Sequence, residues 1–352
     1  MKFRRFLERK NVTLSPKVYF VKAMGSMAMG LFTSLLIGTI FSTIGKYAGL
    51  AFLTEAGTWA SGAAGAAIGV AIANSLEAPT LVLLSAAAVG MAGNGLGGTF
   101  IVDGAEKALT AGPAGAFVAV LIAVELGKLV SKETKIDILV TPTVSILSGF
   151  LIAKLVCPYI AWAMYYIGDF VNYATELHPV LMGMIISALV GVALTLPISS
   201  AAICAMISIS GIAGGAAVAG CCAHMVGYAV LSYKENKAAG LVAQGLGTSM
   251  LQIGNLVKKP VLWLPAILIS LITGPVSTAI FRLECTGVSA GMGTCGLVGP
   301  IGVLTAECEK NPMYYVGLVA VCFVLPALLA ALLSVVCRKV GIIRKDDLKL
   351  EL

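Results

Sequence analysis

Residues 112–131 read GPAGAFVAVLIAVELGKLVS, and Glu125 and Lys128 are the only ionisable side chains in the stretch. The hydrocarbon core of a bilayer takes about 20 mainly apolar helical residues to cross. This segment has that length and lacks the polar face a soluble surface helix would show. Comparable runs cover roughly 20 to 46, 58 to 76, 138 to 157, 179 to 196, 261 to 281 and 313 to 337. The 352 residues are 59% hydrophobic and 12% charged, against roughly 25% charged in a soluble domain. That composition leaves too little polar surface to face water. The expected fold is an all-α polytopic membrane protein with about eight to ten transmembrane helices.

The 40 glycines and only 7% aromatics fit helices that approach closely in lipid, where dispersion packing replaces the hydrophobic drive. The nine cysteines are scattered without a C-x-x-C pair, and read as small buried hydrophobes rather than a disulfide or metal framework. The formal charge of +7 resides in the tails and short loops, where it orients the chain rather than attracting nucleic acid. Residues 1–18 are expected to form an amphipathic interfacial segment, with Phe3, Phe6 and Leu7 opposite Arg4, Arg5, Arg9 and Lys10. They show no cleavable signal peptide. Residues 19–337 form the transmembrane domain and 338–352 a polar tail. The basic loops at 132–137, 234–237 and 258–259, with both termini, are expected in the cytoplasm.

Several stretches suit broken or re-entrant helices. Residues 78–98 and 285–304 are apolar but rich in glycine, 197–231 is too long for one crossing, and 239–256 carries Gln244, Thr248, Ser249, Gln252 and Asn255. Pro142, Pro197 and Pro275 are each followed by hydroxyl residues, which can re-satisfy carbonyls freed at a helix break. The alternative for these prolines is an ordinary kink. Gly93–Gly98 and Gly291–Gly296 both match G-x-G-x-x-G. Neither has the strand, helix and ribose-binding acid of a dinucleotide fingerprint, so both read as close packing or as an unwound loop. The aromatic stretch Trp162, Tyr165, Tyr166, Phe170 and Tyr173 suits an interfacial helix.

Ionisable and amide groups at membrane depth are costly and mark candidate substrate-binding positions. Glu125 is one, with a simple i, i+3 ion pair to Lys128 as the competing explanation. His224 is another, since a neutral imidazole both donates and accepts; a helix-to-helix hydrogen bond is its alternative role. Glu284 and Glu77 each precede a glycine-rich segment. Gln244, Gln252, Asn255, Asn94 and Thr294 complete the set, and acids with amides are suited to polyol recognition. His178 beside Pro179 reads as interfacial. No catalytic residues, nucleotide-binding loop, metal-ligand spacing or channel-filter signature is present in the sequence, and no cofactor is expected.

Over LPISSAAI at 196–203, GCCAHMVGYAV at 220–230, GLVAQGLGTSMLQIGN at 240–255 and GMGTCGLVGPIG at 291–302, the chain resembles the bacterial phosphotransferase-system EIIC membrane component, in its second, compact subfamily. That subfamily includes PfoR-type regulatory membrane proteins. The likeness runs from FLERKNVTLSPKVYF to the closing DLKLEL. It implies a multi-pass permease of the bacterial plasma membrane that imports a carbohydrate or polyol, with phosphorylation by separate cytoplasmic IIB and IIA proteins. A homodimer is compatible with it. In sugar-transporting relatives a membrane-embedded Glu and His contact the sugar, which suggests Glu284 and His224 for those roles, although the glutamate motif of glucose-type members is not recognisable. A membrane regulator without phosphoryl transfer and an uncoupled secondary transporter are the alternatives.

Overall fold

The computed structural model describes residues 6–7, 9–12, 15–16, 18–102, 105–207, 209–306, 308 and 311–350. The expected N-terminal amphipathic helix therefore lies partly outside the described residues, and of its described part Phe6, Leu7 and Arg9 are helical. The chain is 80% helical. It divides into two compact units, Met1–Met164 and Tyr165–Leu352.

In the first unit the helices are α1 (Val18–Lys46), α2 (Ala51–Gly62), α3 (Ala64–Ser75), α4 (Thr80–Gly95) and α5 (Gly112–Val130). Between α4 and α5 lies a hairpin of β1 (Gly97–Val102) and β2 (Ala105–Thr110), antiparallel from Gly97 opposite Thr110 to Val102 opposite Ala105. The α6 helix (Asp137–Ala174) runs on past the end of this unit. The second unit contains α7 (Pro179–Thr195), α8 (Ser200–Met206), α9 (Gly211–Leu231), α10 (Tyr233–Val242), α11 (Pro260–Phe281), α12 (Cys295–Leu304) and α13 (Pro312–Lys339). Among the described residues six helices are long and apolar enough to cross a membrane, or seven with the α2–α3 pair, bent by 48°, taken as one span. The shorter apolar helices α4, α7 and α12 must be counted to reach the number the sequence suggests.

Small residues set the packing in both units. A Cβ on Gly90 of α4 would collide with the Gly65 carbonyl of α3, and one on Gly69 with the Ala86 carbonyl. The α3 and α4 backbones therefore touch, and α4 packs in turn on α5. This corrects the reading of 78–98 as broken: residues 80–95 are one continuous helix, because their glycines serve close approach rather than unwinding. In the second unit α9 is the central helix, contacted by α7, α11 and α13. Nearly every residue from Ala213 to Leu231 is buried.

The structure revises two further boundaries. The aromatic stretch at 162–173 is not a separate interfacial helix but the second half of α6, with Pro142 and Pro158 inside one helix of 38 residues. In hydrocarbon a helix is the economical way to satisfy the backbone, so prolines are tolerated there. At 1.5 Å per residue α6 is about 57 Å long, well beyond one bilayer core. Leu147, Leu151, Leu155, Tyr159 and Trp162 are exposed on its part in the first unit, and Tyr166, Phe170 and Tyr173 on its part in the second. The β-hairpin is absent from the sequence expectation, although Asp103-Gly104 is a strong two-residue turn signal. The breaks expected at 197–231, 239–256 and 285–304 are present.

Candidate substrate-binding site

Two of the broken segments converge on α9. Between α10 and α11 the chain passes through a π-turn at Ala243–Gly247, a 3-10 turn at Ser249–Gln252 and a short helix at Ile253–Lys258. Between α11 and α13 it makes one helical turn at Gly287–Ala290, then reverses at Gly293 into α12, whose first turn carries Gly296 and Leu297, all three with positive φ. Thr294 ties the two segments together on the surface of α9, donating its hydroxyl to the Gly245 carbonyl and lying 3.5 Å from Met225 Sδ.

His224 is fully buried on α9. Its Nδ1 lies 2.9 Å from the Thr195 hydroxyl at the end of α7, and that hydroxyl is 2.7 Å from Ser249 Oγ. Tyr228 and Trp263 flank the ring, with centroids at 6.0 and 6.3 Å. The other nitrogen, Nε2, is buried without a hydrogen-bond partner. Its edge of the ring faces Gly191, where a Cβ would come within 2.6 Å of Cδ2 and 3.0 Å of Nε2. Whichever tautomer the Thr195 contact selects, one donor or acceptor is left unsatisfied, which costs about 1–3 kcal/mol.

Glu284 sits where the chain leaves the π-helical end of α11. Arg282 adopts a left-handed conformation at φ +49, and the next residues, without regular secondary structure, cross α9. Cys285 N–H donates to the Gly211 carbonyl at 3.2 Å and Gly287 N–H to Ile209 at 2.8 Å. The Glu284 backbone is fixed by Tyr314, whose hydroxyl accepts its N–H at 3.1 Å and lies 3.2 Å from its carbonyl. Among the described residues the half-buried Glu284 carboxylate makes no hydrogen bond or ion pair. Around the same crossing, Ser200 donates to the Gly291 carbonyl at 2.7 Å and Ser277 to Gly215 at 3.0 Å. The hydroxyls after Pro197 and Pro275 thus serve neighbouring segments. Those after Pro142 lie within an unbroken helix, and Ser145 Oγ has no partner.

The three amides of the 239–256 stretch are occupied differently. Gln252 Nε2 donates to Gln244 Oε1 at 3.0 Å and to the Leu348 carbonyl at 3.0 Å, and its Oε1 accepts from Asn255 Nδ2 at 2.8 Å. Asn255 also donates to the Lys349 carbonyl, while Gln244 donates to Ser232 Oγ at 2.8 Å. Asn236, not among the residues singled out in the sequence, donates to the Leu348 carbonyl and accepts from Leu350 N–H. The ladder therefore grips the backbone of the C-terminal tail. Lys259 and Asp347 close it with a 2.6 Å ion pair. Burial would raise the Asp347 carboxyl, but Lys259 and the Arg344 amide outweigh it and hold that group below its ordinary range.

Glu125 and Asn94 belong to the first unit, whereas His224, Glu284, Gln244, Gln252, Asn255 and Thr294 belong to the second. Glu125 pairs with Lys128 at 3.3 Å, and Lys128 also donates to the Asn11 carbonyl at 3.1 Å. Glu77 accepts from Asn11 Nδ2 at 2.8 Å and lies 3.4 Å from Lys22. Together these residues line a cavity of about 80 Å³. Glu125 Oε2 and the nearby Tyr19 hydroxyl are both buried without a hydrogen-bond partner. Arg9 and Lys10 both reach Glu133, at 2.6 and 2.5 Å, so the N-terminal residues and the 131–133 loop lie at the same end of this unit. Asn94 is half-buried at the end of α4, its Cβ against Gly65. His178 is exposed and precedes α7.

No curated protein and no solved structure matches the chain significantly. The profile of the family described as Phosphotransferase system, EIIC matches residues 21–350, from the first spanning helix to the clamped tail. That match takes in every broken segment and every membrane-depth polar group described above. With its several apolar helices, the chain is a multi-pass membrane protein that belongs to the phosphotransferase system EIIC family.

Proposed function

We propose that this EIIC protein imports a carbohydrate or polyol whose hydroxyls are recognised by His224 and Glu284, and that a separate IIB protein transfers a phosphoryl group to a substrate hydroxyl on the cytoplasmic side. The observation that carries the site is His224 Nε2, an unpartnered polar atom in a hydroxyl network that is otherwise satisfied. A buried group kept without a partner at membrane depth marks a functional position. Glu284 supplies an acceptor with no partner among the described residues. The amides Gln244, Gln252 and Asn255 hold the tail, and their part in substrate binding is indirect, through the broken segment that Thr294 fastens to α9.

Thermal stabilisation of the purified protein by a panel of sugars and polyols is the direct test. For the sugar that stabilises, His224→Ala and Glu284→Gln are expected to weaken binding about fivefold or more, as loss of one buried polar partner implies. Glu176→Gln, at an exposed position, is the control. Equal affinity in all three variants rejects the site. Uptake that proceeds equally well without phosphorylated IIB rejects group translocation.

We also place both termini and the basic loops in the cytoplasm. Arg9 and Lys10 meet Glu133 in one unit, and Asp347 meets Lys259 in the other, so each basic group shares a side with its terminus. A single cysteine at position 133, in a background without the natural cysteines, is expected to resist membrane-impermeant reagent added to intact cells. Labelling from outside overturns the orientation.

A further inference from the structure

Beyond the ends of α9 and α13 the clamped tail borders an open cleft of about 580 Å³, lined by Lys234, Glu235, Arg338, Arg344, Lys345, Asp346 and Lys349 among others. Arg338 is spoken for, since its guanidinium holds Glu235 through two bonds of 2.7 and 2.9 Å. That leaves Lys234, Arg344, Lys345 and Lys349 against the single carboxylate of Asp346. None of these four side chains makes an ion pair among the described residues. The cationic groups are not on a loose tail, because Gln252, Asn255 and Asn236 fix the backbone from Leu348 to Leu350 and Asp347 fixes Arg344 N–H at 2.7 Å.

The surface beside this basic cleft is apolar. Tyr233, Val336 and Val340 are exposed where α9 and α13 end. A ligand that satisfies both surfaces has an anionic head and a hydrocarbon body. We propose that this cleft is a binding site for the phosphate headgroup of an anionic phospholipid, whose acyl chains lie along the exposed residues of α13. Basic clusters just beyond a spanning helix attract such headgroups with about 1 kcal/mol per Lys or Arg, and the volume lies within the roughly 300–1,000 Å³ usual for small-molecule sites. The adjoining apolar surface favours a lipid over a free phosphate or a phosphorylated protein, which would leave that surface unused.

The test uses the full chain in detergent, titrated with phosphatidylglycerol or phosphatidylcholine and read by native mass spectrometry and thermal stability. The wild type is expected to retain phosphatidylglycerol in preference to phosphatidylcholine, with the preference falling as salt rises. Arg344→Ala/Lys345→Ala/Lys349→Ala is expected to lose at least about tenfold in that affinity. Lys132→Ala/Lys135→Ala in the first unit, with circular dichroism as the folding check on both variants, is expected to leave it unchanged. Equal retention by the wild type and the triple variant, or no preference between the two lipids, overturns the proposal. Stabilisation by inorganic phosphate alone equal to that by phosphatidylglycerol also overturns it, and assigns the cleft to a free or protein-borne phosphate.

Discussion

Gly215→Val is expected to abolish the monodisperse, folded protein, while Gly227→Ala on the same helix is expected to be nearly silent. At Gly215 an added Cβ would collide with the Leu283 carbonyl oxygen and lie 2.6 Å from its carbon, and Gly214 is pressed in the same way against Cys285. The obstacle is backbone. Residues 283–285 cannot retreat without breaking the bonds from Leu283 N–H to Ser277 and from Cys285 N–H to Gly211. Overpacking against side chains costs about 1–3 kcal/mol, and displacing a hydrogen-bonded backbone segment adds the lost bonds to that. Total stabilities of about 5–15 kcal/mol leave little room for such a change. At Gly227 the only near atom is Ile269 Cδ1 at 3.3 Å, the far end of a flexible side chain. Size-exclusion profile and melting temperature check the pair. A Gly215→Val protein that elutes and melts like the wild type would show that the 283–285 segment does not lie on α9.

The second large effect is expected at Gln252, whose replacement by Ala removes the centre of the amide ladder. Gln244 Oε1 loses its donor, while the Leu348 carbonyl keeps Asn236 and Asn255 Nδ2 keeps the Lys349 carbonyl, and the one buried group left unsatisfied costs about 1–3 kcal/mol. The penalty acts on one local equilibrium, the undocking of the tail. With a factor of ten for each 1.4 kcal/mol, cleavage of the tail by trypsin is expected to accelerate roughly 10- to 100-fold where opening precedes cutting. Arg344, Lys345 and Lys349 provide exposed cleavage sites. Global melting should move much less, because the buried cluster around Tyr228, Leu256 and Ile269 retains most of its members. Unchanged trypsin kinetics in Gln252→Ala would mean that the ladder does not hold the tail.

Composition alone determined that this chain lives in a membrane. With 12% charged residues there is no other solvent in which its surface is satisfied, and runs of about 20 apolar residues place most of the spans within a few positions. The breaks near 197, 243 and 285–304 were legible because glycine, proline and hydroxyl residues act locally on backbone hydrogen bonding. The Glu125–Lys128 pair was legible for the same reason, as i, i+3 neighbours on one helix.

The partners of the membrane-depth polar groups were decided by tertiary structure. Gln252 meets Leu348 across 96 residues, His224 meets Thr195 across 29, and Thr294 meets Gly245 across 49. A side-chain amide or imidazole takes whichever complementary atom the fold brings within about 3 Å, and nothing in the local sequence encodes which atom that is. The glycines of α4 show the same division. Sequence marks them as flexible, and only the backbone of α3, in contact at Gly65, turns that flexibility into close packing along an unbroken helix.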